Sequence, residues 1–220
     1  MSEKVIEIVC TPRVDGKLFR DQGKYCIYYI KLIKKFSTNY HILKTNPEMA
    51  TVIEGICGDG TALDPMIIYK AEKFVYEWFE DIENVPEGFL FGRLPNGWTD
   101  ERIAMHYLER NFGENSLSTS KVGEEFRLLI FDGHNSHVNM HFLNYCISHR
   151  IIPLCLPPHT MHRLQPLDVS LFSPYKKYYS QELQKRFQRR IQGIAKGNFY
   201  SILQVAQKST FTQANIYSSF

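Results

Sequence analysis

Residues Thr51-Val52-Ile53-Glu54-Gly55-Ile56-Cys57 form a run rich in β-branched side chains, and Gly58-Asp59-Gly60 follows it as a turn signal. Leu63 to Tyr69 is a second apolar run, so the two predict a β-hairpin. Pro65 suits the entry of the second strand or an edge position. Upstream the pattern is weaker. Val5 to Val9 fits a short strand, and Tyr25 to Phe36 is an apolar-basic stretch that fits strand or helix. Downstream, residues 71–97 read as irregular, with one short helix around Phe74 to Phe79.

Asn96-Gly97 is a turn pair, and Thr99 reads as a helix N-cap with Asp100 and Glu101 in the first turn, where carboxylates favour the helix dipole. Ile103, Ala104, Tyr107, Leu108 and Phe112 then recur at helical spacing. Residues 113–125 read as a polar loop. Phe126 to Phe131 is apolar except for Arg127, and it ends in Asp132-Gly133. This predicts a buried strand that delivers a carboxylate at its carboxyl end. Val138 to Arg150 reads as a helix with Met140, Phe142, Leu143, Cys146 and Ile147 as its apolar surface, and Ile151 to Leu156 as another buried strand stopped by Pro157-Pro158. Asp168 opens a long helix whose stripe is Phe172, Tyr175, Tyr179, Leu183, Phe187, Ile191 and Ile194. We assign that aromatic stripe to the core. The order hairpin, helix, strand, helix, strand, helix predicts a mixed α/β domain.

Composition changes this picture little. The 220 residues are 44% hydrophobic and 22% charged, which is ordinary for a soluble globular chain able to bury a core without staples. The formal net charge of +3 is too small to indicate a nucleic-acid partner, so any such contact must come from a local patch. Five cysteines without a CxxC pair fit a reducing, intracellular setting. Neither a signal pattern nor an apolar run of membrane-spanning length is expected, so no membrane partner is assigned.

The candidate chemistry rests on two carboxylates. Asp132 closes one buried strand, and Asp168 lies at the start of the helix after the next, with 35 residues between them. A strand-helix-strand excursion of that length can return the chain to the same edge of a sheet. Hard divalent cations prefer oxygen ligands of this kind, completed by substrate phosphates. Two such ions can clamp the attacking and leaving oxygens of a phosphodiester.

The words around these residues are specific. Phe131-Asp132-Gly133-His134-Asn135-Ser136-His137 and Pro157-Pro158-His159-Thr160-Met161-His162-Arg163-Leu164-Gln165-Pro166-Leu167-Asp168 resemble the two signatures of the DDE superfamily endonucleases, in particular the pogo, Tigger and fungal Fot-like transposases of the mariner group. The spacing and weaker similarity over Thr51 to Lys70, Asn96 to Thr99 and Lys196 to Phe220 extend the resemblance. It implies an RNase H-like fold, a mixed sheet flanked by helices, and metal-assisted cleavage and strand transfer of DNA with Mg²⁺ or Mn²⁺. It makes Asp132 the second catalytic metal ligand and Asp168 the third. His134 and His137 would support the first word, and His159, His162 and Gln165 would shape the second. The implied setting is the nucleus, with DNA as partner and a homodimer or a longer transposase as the assembly. The family's first carboxylate lies in an Asp-Glu-Thr-Gly-like word on the opening strand, and no such word occurs here. Glu7 stands at a workable distance as a substitute. Residues 1–48 are expected to be an ill-defined segment holding a degenerate first strand, and 49–220 the endonuclease domain, truncated at its C-terminal end.

Other readings of the same residues remain. His134, His137, Cys146, Cys155, His159 and His162 are zinc-capable types, although no finger spacing fits and both cysteines read as buried small hydrophobes. Ser136 with Asp132 and His134 suggests a hydrolase triad, but the nucleophile elbow is missing, and Ser136 reads better as a helix cap. Lys176, Lys177, Lys185, Arg186, Arg189 and Arg190, with Lys196 beyond them, form a basic face suited to DNA phosphates or simply to solvent. Without the first carboxylate, the alternative to an impaired endonuclease is a non-catalytic transposase-derived domain that binds DNA or protein, or a decayed transposon fragment.

Overall fold

The computed structural model describes residues 26–36, 50–79, 88–95, 100–132, 139–157, 164–189 and 196–220, with the backbone alone for Cys26–Phe36, Asp132 and Asn198. Six strands are β1 (Cys26–Phe36), β2 (Ala50–Cys57), β3 (Met66–Lys70), β4 (Leu90–Leu94), β5 (Arg127–Asp132) and β6 (Ile151–Leu156). They form one sheet in the order β4-β3-β2-β1-β5-β6. β2 runs antiparallel to both β1 and β3, while β3–β4, β1–β5 and β5–β6 are parallel. The helices are α1 (Glu101–Phe112), α2 (Leu117–Val122), α3 (Met140–Ser148), α4 (Phe172–Gln188), α5 (Lys196–Thr210) and α6 (Gln213–Ser219).

Helices cover both faces of the sheet, which is why every residue of β2 is buried. Alternation along the strand sends Val52 and Ile56 to a core shared with Phe172, Tyr175, Tyr179 and Leu183 of α4, Phe199 and Leu203 of α5, and Ile216 of α6. Ile53 packs on the opposite face with Ile103 and Tyr107 of α1, and Cys57 with Leu108, Phe112, Phe142 and Cys146. Gly55 permits the close approach of α1: a Cβ there would stand 2.6 Å from Leu63 Cδ1 and 2.8 Å from the Tyr107 hydroxyl. The arrangement is the RNase H-like mixed sheet flanked by helices that the sequence resemblance implies.

The hairpin forms as expected, with Ala50 opposite Tyr69 and Ile53 opposite Met66, and Pro65 stands at the entry of β3. Within the Tyr25 to Phe36 stretch, Cys26–Phe36 is strand, and β1 lies between β2 and β5 although it falls within residues 1–48. Other expectations need correction. Residues 71–97 contain β4, a five-residue strand too short and too interrupted by Gly92 and Arg93 to show periodicity. The cap of α1 is Asp100, whose side chain accepts from Ile103 N–H at 3.0 Å, not Thr99. The 113–125 loop holds α2, capped by Ser116. Asn139, not Ser136, caps α3 by accepting from Phe142 N–H at 2.8 Å. On α3 only Phe142 and Cys146 are buried, while Met140 and Ile147 are exposed. β6 is an edge strand rather than a fully buried one. The stripe on α4 is core from Phe172 to Leu183, whereas Phe187 is 39% exposed and the helix ends at Gln188. α5 and α6 had no sequence prediction. Val5 to Val9, Glu7, Trp98, Thr99, Ser136, Ile191 and Ile194 lie outside the described residues.

Candidate metal centre and nucleic-acid face

Asp132 is the last residue of β5 and pairs in register with Leu156, the last residue of β6. Both strands run parallel, so the chain leaves β5 after Asp132 and leaves β6 towards Asp168 from the same edge of the sheet. His134, His137, His159, His162 and Arg190 lie outside the described residues. Gln165 is fully buried, and its carbonyl accepts from the Asp168 N–H at 2.9 Å.

Asp168 sits in a widened helical turn, Leu167–Leu171, in which the N–H of Phe172 reaches back five residues to the Leu167 carbonyl. Such turns carry an extra residue per repeat and recur at functional sites because they redirect a side chain from the regular helical phase. Here the flanking Leu167 and Leu171 are buried in the α4–α5–α6 core, and Asp168 between them is half-buried. The turn is therefore anchored by apolar packing on both sides of the carboxylate.

β1 is the first strand in chain order among the described residues. β1 reads Cys-Ile-Tyr-Tyr-Ile-Lys-Leu-Ile-Lys-Lys-Phe, with three lysines and no Asp or Glu. Its last pair with β5 is Ile30 with Phe131, so Lys31 is the next residue along β1 as Asp132 is along β5. Among the described residues there is no group of three or more His, Cys, Asp or Glu side chains that could hold a metal ion. The donor chemistry of Asp132 and Asp168 fits a hard divalent cation, with the rest of its shell left to water and phosphate oxygens.

Two charged residues that pattern reading passed over are buried. Glu54, in the middle of β2, is fully buried, and its two oxygens accept from the Tyr175 hydroxyl at 2.7 Å and the Gln207 amide at 3.0 Å. Burial raises its carboxyl to about 7, against the smaller lowering effect of those two hydrogen bonds. With both oxygens engaged inside the core, Glu54 is a structural carboxylate and not a spare metal ligand. Arg127, at the start of β5, donates to the Phe112 carbonyl, Ser118 Oγ, Thr119 Oγ1 and the His149 carbonyl. It thereby ties the ends of α1, α2 and α3 to the strand that delivers Asp132. The only sequence signal for either was a charge inside an apolar strand.

The basic residues divide by environment. Lys176, Lys177 and Arg189 are exposed, whereas Arg186 is half-buried and donates to Ser201 Oγ on α5 at 3.0 Å. Lys185 is exposed and paired with Glu182. Lys196 lies on α5, not on an extension of α4; its ammonium donates to the Lys70 carbonyl and stands 4.6 Å from the Trp78 ring centroid. The cysteine expectation splits in the same way: Cys146 is buried and its thiol is pushed up to about 12 by that burial, so it stays protonated, but Cys155 is exposed on the edge strand.

Residues 46–220 match the family described as DDE superfamily endonuclease. A relative from Cochliobolus lunatus, described as "MFS-type transporter clz9", is 36% identical over 175 residues, covering 80% of this chain but only 18% of its own length. Among the described residues no helix is long and apolar enough to cross a membrane. The catalytic domain of Mos1 mariner transposase aligns over 100% of this chain and 95% of its own, with a TM-score of 0.44 and 9% identity. A pre-cleavage Mos1 transpososome aligns over 93% of this chain and 58% of its own, with a TM-score of 0.36 and 9% identity. By the match over most of its length, the chain belongs to the DDE superfamily of endonucleases.

Proposed function

We propose that this domain cleaves and transfers DNA phosphodiesters with a divalent cation, Mg²⁺ or Mn²⁺, held by Asp132 and Asp168. The observation that carries the reading is the placement of the two carboxylates within a DDE-family domain: one ends β5, and the other follows the adjacent parallel strand in a widened, core-anchored turn. A bound divalent cation supplies electrophilic activation of the phosphorus and a more acidic attacking water. The chain's own part is to present oxygen donors from a rigid edge and to hold the strand. Lys176, Lys177 and Arg189, exposed on the helix that follows Asp168, suit contacts to backbone phosphates. His134, His137, His159, His162 and Gln165 would brace the two words. The endonuclease domain in this reading includes β1, which lies between β2 and β5 in the sheet. A place among the pogo, Tigger and Fot-like transposases, a nuclear site of action, and assembly as a homodimer or with a longer transposase belong to the same proposal.

A second reading has its own observation. β1 carries lysines and no carboxylate, which favours a domain that binds DNA or protein without cutting. Each lost carboxylate weakens cation binding, because the cation needs that charge. Nicking of supercoiled DNA in Mg²⁺ or Mn²⁺ separates the two. Cleavage abolished by Asp132→Asn and by Asp168→Asn supports catalysis. DNA binding without cleavage, indifferent to both substitutions, supports the second reading.

A further inference from the structure

We propose that Glu54 is a positioning residue: with one oxygen held by Tyr175 of α4 and the other by Gln207 of α5, it fixes how the helix that follows Asp168 lies on the sheet, and so where that carboxylate stands. The inference rests on the reading that Asp168 is a metal ligand.

The argument begins with what apolar packing leaves open. α4 meets the sheet through Phe172, Tyr175, Tyr179 and Leu183, large side chains that exclude water but tolerate small slides and rotations. A hydrogen bond does not. The Tyr175 hydroxyl reaches Glu54 Oε1 at 2.7 Å across 121 positions of sequence, and only one setting of α4 on β2 allows it. Tyr175 lies seven positions beyond Asp168, two turns along the same run, and Leu171 between them is buried in the same core. A shift of α4 along its axis is passed directly to the Asp168 turn. The Gln207 amide, at 3.0 Å from Oε2, ties α5 to the same carboxylate from a separate helix.

The surroundings fit a positioning device better than a stabilising one. Neither hydrogen-bond partner is charged. The titratable groups around Glu54 are Tyr175 from α4 and Tyr107 from α1, with Lys31 its register partner on β1. A fully buried carboxylate with no bonded cation among the described side chains is a costly way to fill a core, and an apolar side chain would fill the same space at less cost. What the carboxylate adds is direction, two oxygens that each accept one specified donor.

The test uses hydrogen exchange and Mn²⁺ affinity on the whole chain. Tyr175→Phe is expected to raise amide exchange in Leu167–Phe172 by roughly tenfold, the equivalent of one lost buried hydrogen bond, and to weaken Mn²⁺ binding. Glu54→Gln keeps an acceptor for the Tyr175 hydroxyl and is expected to leave exchange in that turn within about twofold of the parent. Gln207→Ala is expected to loosen α5 and spare the turn. A uniform rise in exchange across the sheet in all three variants would reduce Glu54 to general packing and overturn the proposal, as would an unchanged turn in Tyr175→Phe. Loosening of the turn with no Mn²⁺ binding even in the parent would leave the positioning intact and refute the metal-ligand reading instead.

Discussion

Glu54→Gln is expected to make the protein more stable at alkaline pH. The folded protein holds the Glu54 carboxyl at about 7, against 4.5 for an unburied group. Because the folded pKa is the higher, the folded state binds the proton more tightly than the unfolded one. The contribution of this group is fully present below 4.5 and is lost as pH rises through 7. Each pH unit across that window is worth about 1.4 kcal/mol, so the whole loss is roughly 3 kcal/mol. Glutamine has nearly the same shape, stays neutral, and can accept from Tyr175; Gln207 can turn its amide to match. The gain of Glu54→Gln over the parent should therefore be about 1 kcal/mol at pH 5 and rise to roughly 3 kcal/mol by pH 8. For a chain of this size that is on the order of 5–10 °C in Tm. Urea unfolding of both proteins at closely spaced pH values from 5 to 9 measures the difference directly. Parallel stability curves across that range would refute the reasoning, since they would mean that Glu54 titrates alike in both states.

The remaining predictions concern the frame and the DNA face. Arg127→Met leaves the acceptors at Phe112, Ser118, Thr119 and His149 without their donor and should cost about 2–4 kcal/mol, read by urea denaturation. Gly55→Val drives a side chain into Leu63 and Tyr107 and should cost about 1–3 kcal/mol, seen as a lowered Tm. Replacing Lys176 and Lys177 together with Gln should lower DNA affinity for all sequences and reduce the slope of log K against log salt by about 2, as expected for two lost phosphate contacts. In a nicking assay Asp132→Asn and Asp168→Asn should each remove divalent-dependent cleavage while leaving Tm within a few degrees, since neither change alters core volume.

Sequence alone determined several local elements of this protein and the words on which its chemistry is argued. The β-branched run Thr51 to Cys57, the Gly58-Asp59-Gly60 turn and the apolar run Leu63 to Tyr69 specified the hairpin, because these residue types suit a strand or a tight turn whatever surrounds them. The apolar runs ending at Asp132 and Leu156, with a helical pattern between, placed one carboxylate at a strand end and the other beyond the next strand. These are short-range signals, carried by neighbours a few residues apart. Tertiary structure alone decided the rest. Glu54 reads in sequence only as a charge inside an apolar strand; the stacking of helices on both faces of β2 buries it, and its partners lie 121 and 153 positions away. Arg127 likewise gains its role from three helix ends that meet only after folding. β4 exists because β3 offers it an edge, not because five residues interrupted by Gly92 and Arg93 favour a strand. The widened turn at Asp168 comes from Leu167 and Leu171 being pulled into one core, a demand no local propensity encodes. Burial and long-range hydrogen bonding are properties of the assembled layers, so a linear pattern can name the carboxylates but cannot aim them.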